Sequence, residues 1–224
     1  MEVKASGKLT EKNNKGRVLF LYPNSEGLGG VPNGIALLSG CLKEAGFETK
    51  CFDTTFFNSP PLTYFQRSKH GYFLDADHTK FWGEWNPELP KKIPESLIKT
   101  IAEFKPLLVA VSHVDIGVTY MKPILKLIKD NFQIPTIAGG ITCTSSPELV
   151  IENEYLDMVC VGEGEEALIE LSNALAEGRD YSRIKNLWVK KDGQIIKNPL
   201  RPLIDMDTLA FQDWSIFDPK HYYK

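Results

Sequence analysis

The chain has 224 residues, of which 42% are hydrophobic and 25% charged, with a formal net charge of −3. That suffices for one α/β domain of ordinary size with added segments, and it removes the electrostatic case for a nucleic-acid partner. No apolar run approaches a membrane span and the opening MEVKASGKLTEKNNKG lacks the apolar centre of a secretory signal, so a cytoplasmic protein with no membrane partner is expected.

Residues 1–16 carry Lys4, Lys8, Lys12 and Lys15 among few apolar positions and read as a disordered leader. Residues 18–22 (VLFLY) form the first buried strand, followed by a loop with Gly27, Gly29 and Gly30. A helix from about Asn33 to Ala45 presents Ile35, Leu38 and Leu42 on one face, and Gly46 ends it. Residues 48–53 give the second strand and close a right-handed βαβ unit. Residues 54–92 break the pattern with Phe56, Phe57, Tyr64, Phe65, Tyr72, Phe73, Phe81, Trp82 and Trp85. This is too long and too aromatic for an ordinary connection, and reads as an insert that packs on the domain, or as a lid over a flat ligand.

Regular elements then return. Ile93, Leu97, Ile98, Ile101 and Phe104 mark a helix face, residues 107–111 (LLVAV) a strand ending at Ser112 and His113, and Thr119 a cap for a helix through Ile128 that tolerates Pro123 near its start. Residues 136–138 form a strand running into Gly139 and Gly140, and Ser146-Pro147 opens a helix to about Asn153. Residues 157–168 (DMVCVGEGEEAL) read as a buried strand, a glycine turn and a helix start. Glu165 and Glu166 meet the positive end of that helix dipole, Leu168, Leu171 and Leu175 give its apolar face, and Gly178 stops it. Residues 186–191 and 194–197 flank Asp192-Gly193, a hairpin signal. Residues 201–224 are an irregular acidic and aromatic tail. The expected fold is a doubly wound, mostly parallel five-stranded α/β sheet with an aromatic insert and a C-terminal β-hairpin plus linker.

Gly162-x-Gly164-x-x-Ala167 matches a dinucleotide fingerprint, but on a late strand and beside Glu163, Glu165 and Glu166, whose charge would repel a pyrophosphate. A neutral, amide-rich ligand edge suits this turn better. Cys41, Cys51, Cys143 and Cys160 are dispersed, with no C-x-x-C pair, so reduced thiols are expected and no iron–sulfur cluster. Asp53, Asp115 and Asp157 read as loop-end carboxylates rather than acid–base pairs, and no complete catalytic site is visible.

Three stretches carry a family resemblance: residues 33–47 (NGIALLSGCLKEAGF) followed by Cys51-Phe-Asp53, residues 138–142 (AGGIT) with Ser146-Pro147-Glu148, and DMVCVGEGE from Asp157 to Glu165. Together they resemble the N-terminal cobalamin-binding domain of B12-dependent radical SAM proteins, and residues 201–209 (RPLIDMDTL) resemble the linker to their catalytic barrel. The resemblance implies a Rossmann-like domain over residues 17–180 (insert 54–92), then hairpin and linker over 181–224 leading to a radical SAM barrel. It implies cobalamin, and hence cobalt, held by Ser112, Gly139, Gly140, Gly162, Glu163 and Gly164, with the cofactor's nucleotide tail between sheet and helix. The glycines would leave the tail its path, Ser112 would donate to it, and backbone N–H groups of the 162–164 turn would meet the corrin rim or tail.

The loop after the first strand lacks the histidine with which many B12 folds ligate cobalt, and His113-Val-Asp115 reverses that motif's order, so no histidine ligand to cobalt is expected. The cluster-binding C-x-x-x-C-x-x-C of radical SAM enzymes is absent here, so a 4Fe-4S cluster and S-adenosylmethionine would belong to the rest of the parent. The implied parent methylates an unactivated carbon or phosphorus, or rearranges a carbon skeleton. Two alternatives stay open: a nucleotide-binding enzyme domain with phosphate at residues 27–30, and a flavodoxin-like interaction domain without cofactor.

Overall fold

The computed structural model describes residues 14–24, 31–57, 89–112 and 118–222. Most of the leader, residues 58–88 of the aromatic insert, residues 25–30, and His113 and Asp115 lie outside them. The described elements are β1 (Arg17–Tyr22), α1 (Asn33–Glu44), β2 (Glu48–Asp53), α2 (Lys92–Phe104), β3 (Leu108–Ser112), α3 (Val118–Asn131), β4 (Thr136–Gly139), α4 (Ile141–Ser145), α5 (Pro147–Ile151), β5 (Met158–Cys160), α6 (Glu165–Ala176), β6 (Leu187–Lys191) and β7 (Gln194–Lys197).

The strands form one sheet in the order β2-β1-β3-β4-β5-β6-β7. The first five are mutually parallel, with Phe20 opposite both Cys51 and Ala110, and Ser112 opposite Gly139. Both faces of this part are covered, which is why its strands are runs of apolar residues rather than alternations. Val18 and Phe20 join Ala36 and Leu42 of α1 and Leu168 and Leu171 of α6 in one core. Leu19 and Leu21 join Leu97 of α2, Leu125 of α3 and Val150 of α5 in the other. The expected doubly wound α/β architecture is therefore present.

The Asp192-Gly193 turn has φ of 51° and 72°, the positive pair a tight two-residue hairpin requires. Its strands do more than pair with each other: β6 runs antiparallel to β5, with Val189 opposite Met158, so the hairpin completes a seven-stranded sheet. The dipeptide specifies a local turn and is silent about the third strand. Two further details differ from expectation. Helix α3 starts at Val118, so Thr119 is helical rather than a cap. Residues 141–145, which have no long apolar period, make the short helix α4 after Gly140, whose φ is 121°.

Residues 201–222 contain only short 3₁₀ turns, yet they are tied to the domain. The Asp213 N–H donates to the Ala36 carbonyl at 2.8 Å. The Asp213 carboxylate accepts from Ser39 Oγ at 2.6 Å and pairs with Lys43 Nζ at 2.6 Å. Phe217 is buried in the core beneath α1 and α6, and His221 Nε2 pairs with Asp53. The tail thus straps α1 from its middle to the β2 edge.

Candidate functional site

The chain runs from β1 to β2 in one direction and from β3 to β5 in the other, so the sheet has its switch point between β1 and β3. Crevices beyond the carboxyl ends of strands at such a point are where open α/β sheets take ligands. On the α1/α6 face a cavity of about 210 Å³ opens there. Its floor is Phe20, Ala110, Ile137 and Cys160 of the sheet, and its walls are Gly34 and Leu38 of α1 and Leu168 of α6. Drug-sized ligands fill pockets of roughly 300–1,000 Å³. This cleft therefore suits one limb of a larger molecule lying over the strand ends.

All six residues expected at the site line this one cavity: Ser112 at the end of β3, Gly139 and Gly140 after β4, and Gly162, Glu163 and Gly164 between β5 and α6. The glycines play different parts. Gly140 and Gly162 have φ of 121° and 81°, which side chains rarely adopt. Gly139 needs no such freedom: a Cβ built on it would find only Cys160 Cβ, at 3.8 Å. A Cβ on Gly34 would meet nothing within 4 Å. At these two positions the missing side chains leave space that no other part of the described chain fills.

Thr144, which the sequence reading missed, joins the two glycine turns. Its hydroxyl accepts the Gly162 N–H at 3.0 Å and donates to the Gly140 carbonyl at 3.3 Å. The Gly162 N–H is therefore already engaged, contrary to its expected role as a ligand donor. Glu163 is also held: its Oε2 accepts the Ile204 N–H at 2.8 Å, and its carbonyl accepts from Asn186 Nδ2 at 2.7 Å. Arg201 pairs with Glu166 at 3.0 Å and with Glu170, and donates to the Lys185 carbonyl at 2.6 Å.

Glu165 is different. It lines the cavity, and its Oε2 is buried without a hydrogen-bond partner among the described residues. Sequence reasoning placed it only in the first turn of a helix; a carboxylate beside a glycine turn that shuns phosphate was the available signal. Burial and, next, the charge of Glu165 push the Cys160 thiol up to about 12, so it is a neutral wall at physiological pH.

Asp53 and Asp157, expected as loop-end carboxylates, are spent on structure. Asp53 accepts from the Thr55 N–H at 2.8 Å and pairs with His221. Asp157 accepts from Lys129 Nζ at 2.5 Å and from the Thr136 N–H at 2.7 Å. Among the described residues no group of three His, Cys, Asp or Glu side chains could hold a metal ion, and no helix is long and apolar enough to cross a membrane. The cavity can hold and orient a neutral, amide-rich group, and it contains no acid–base pair aimed at one.

The family model described as the B12 binding domain matches residues 27–172. The anaerobic magnesium-protoporphyrin IX monomethyl ester cyclase of Rubrivivax gelatinosus is 25% identical over 92% of this chain and 34% of its own length. An uncharacterized methyltransferase of Pyrococcus horikoshii is 30% identical over 56% of the chain and 28% of its own. The chain thus spans about a third of the length of the curated relatives it matches. Among solved structures, the radical S-adenosylmethionine methyltransferase TsrM from Kitasatospora setae aligns with a TM-score of 0.61 at 23% identity, over 82% of this chain and 30% of that one. The cobalamin-dependent S-adenosylmethionine radical enzyme OxsB aligns at 0.56 and 16%, over 84% and 22%. At these identities the likeness is one of fold.

Proposed function

The chain belongs to the B12-binding domain family, and from that premise we propose that it binds cobalamin as the cofactor module of a larger radical SAM enzyme. The observation that carries this is the glycine-cradled cavity at the sheet's switch point, lying inside the matched segment. Open space before Gly34 and Gly139 fits a slender tail, and the unpartnered oxygen of Glu165 fits a ligand rich in N–H and O–H donors. In this reading Ser112, Gly139, Gly140, Gly162, Glu163 and Gly164 surround the tail and rim. Gly162 contributes by shape, since its N–H is given to Thr144. When bound, cobalamin supplies methyl transfer or radical chemistry at cobalt.

The parent's cluster and S-adenosylmethionine site lie in a barrel C-terminal to this chain, consistent with similar proteins about three to four times its length whose names include radical S-adenosylmethionine enzymes binding cobalamin or a 4Fe-4S cluster. A methyltransferase is the favoured parent activity, and the cytoplasm its compartment. In this reading cobalt takes no histidine ligand, since the loop after the first strand has none and His113 follows a later strand.

Hydroxocobalamin titration, followed by absorbance and by retention on a desalting column, tests the reading. One cobalamin per chain is expected, with no nitrogen splitting in the EPR of its Co(II) form. Failure to retain cobalamin, in the domain and in the full-length parent alike, would overturn it. A splitting lost in His113→Ala would overturn the histidine-free assignment.

A further inference from the structure

Three glutamates follow β5 in quick succession, and two are matched within the chain. Glu163 takes the Ile204 N–H, and Glu166 takes Arg201. Arg201, 15% exposed, is committed to Glu166, Glu170 and the Lys185 carbonyl and is not left for Glu165. Glu165 lies where α1 and α6 converge. It lines the switch-point cavity on one side, and on the other a shallower cavity of about 220 Å³ beneath Ile204 and Leu209 of the tail. Its Oε2 is shut off from solvent and has no partner among the described residues.

A buried carboxylate oxygen without a donor is destabilising, and the N-terminal dipole of α6 offsets only part of that cost. The Glu165 side chain borders a cavity whose glycines leave room for a ligand. It favours an N–H or O–H donor and repels an anion.

We propose that Glu165 is a positioning residue for the cofactor: its free carboxylate oxygen accepts a hydrogen bond from an amide N–H or a hydroxyl of the bound corrinoid. This rests on the cobalamin reading above. Two parts of the ligand carry such donors: the amides of the corrin rim, among them the one that links the nucleotide arm, and the ribose hydroxyls of that arm. The phosphodiester has none and is placed away from Glu165.

The test compares wild type, Glu165→Gln and Glu165→Met. Each is titrated with hydroxocobalamin and with cobinamide, which keeps the corrin amides and lacks the nucleotide, and the apo proteins are melted thermally. Methionine should weaken cobalamin binding about tenfold or more, glutamine less, since its amide oxygen can still accept. Both apo variants should melt no lower than wild type, and the methionine variant higher, because an unpaired buried oxygen has been removed. Weakening confined to cobalamin places the donor on the nucleotide arm, whereas weakening shared with cobinamide places it on the rim. If wild type binds cobalamin and both variants bind within twofold of it, the Glu165 assignment is wrong while the cofactor reading stands. If both variants melt well below wild type, the carboxylate is a structural group and the assignment also falls. If wild type binds neither corrinoid, the cofactor reading itself fails, and the assignment with it.

Discussion

Gly40, in the middle of α1, is packed under the carbonyl of Phe211: a Cβ built on the glycine would stand 2.1 Å from that oxygen. The tail crosses the helix at closer range than any side chain permits. Gly40→Ala should therefore lift the strap. Alanine gains about 1 kcal/mol of helix propensity, but overpacking a fixed backbone costs about 1–3 kcal/mol. A net loss of up to about 2 kcal/mol in urea unfolding is expected, with faster proteolysis of residues 201–222. Gly34→Ala is the control in the same helix. With nothing within 4 Å of its Cβ, it should be neutral or stabilising in the apo protein.

The strap also carries a pH dependence. Asp213 is half-desolvated, which opposes ionisation, yet hydrogen bonds and charge from Lys43, Ser215 and Ser39 hold its carboxyl below the ordinary range. A lowered folded value means the unfolded chain binds the proton first. Its stabilising effect is complete above the unfolded value and is lost as pH falls through the folded one. Asp213→Asn should remove part of the acid-side fall in stability and reduce stability at neutral pH. Asp180, lowered to about 2 mainly by its Lys191 hydrogen bond, contributes to the same limb but is unchanged in this comparison. Equal acid limbs in wild type and Asp213→Asn would disprove the linkage.

Much of the parallel core is legible in the sequence because each strand there is a short apolar run and each helix carries its own period. The residues 48–53 and 194–197 fall in β2 and β7 as expected. What escapes is non-local. No pattern within residues 186–197 says that β6 pairs with β5, because pairing depends on a strand edge laid down elsewhere. The tail looks like loose linker because Phe217, Asp213 and His221 are isolated anchors without period, and their partners Ser39, Lys43 and Asp53 lie far back in the chain. At the cavity, the glycines and the strand-end serine that signal a backbone role in the sequence line one space. Thr144 and Glu165 give no such signal, because a bridging hydroxyl and an unmatched carboxylate acquire meaning only from what surrounds them.

The thiols should be inert in the native protein. Cys160 is pushed up to about 12 by burial and then by Glu165, and burial likewise raises Cys41, Cys51 and Cys143. At pH 8 a thiol reagent should react slowly with folded protein and rapidly with four thiols after denaturation. A raised folded value also gives stability that is intact below the unfolded thiol value and is lost as pH rises through the folded one. For Cys160 the loss should run from about pH 8.5 to about 12. A Cys160→Ala variant should flatten that alkaline limb. One thiol reacting at the denatured rate in native protein would refute this account.

The cleanest test of the cradle is Gly139→Val rather than a change at Gly140. Gly140 has φ of 121°, so a side chain there strains the backbone, and lost binding would not distinguish a blocked cavity from a damaged turn. Gly139 ends β4 opposite Ser112, outside the positive-φ set, in a setting where a branched residue is at home. A Cβ there would make one ordinary contact, 3.8 Å from Cys160 Cβ, and the extra methyl groups would enter the cavity. The apo protein should therefore keep its fold and melt within a few degrees of wild type, or above it, because valine loses less chain entropy than glycine and suits a strand. Cobalamin should bind at least tenfold more weakly, since packed volume cannot be shared with the tail. Gly139→Ala, with one small atom added, should lie between the two. Graded loss of binding at constant stability would place the ligand against Gly139. Full binding by the valine variant, with its circular dichroism and melting unchanged, would move the tail elsewhere and remove this glycine from the site.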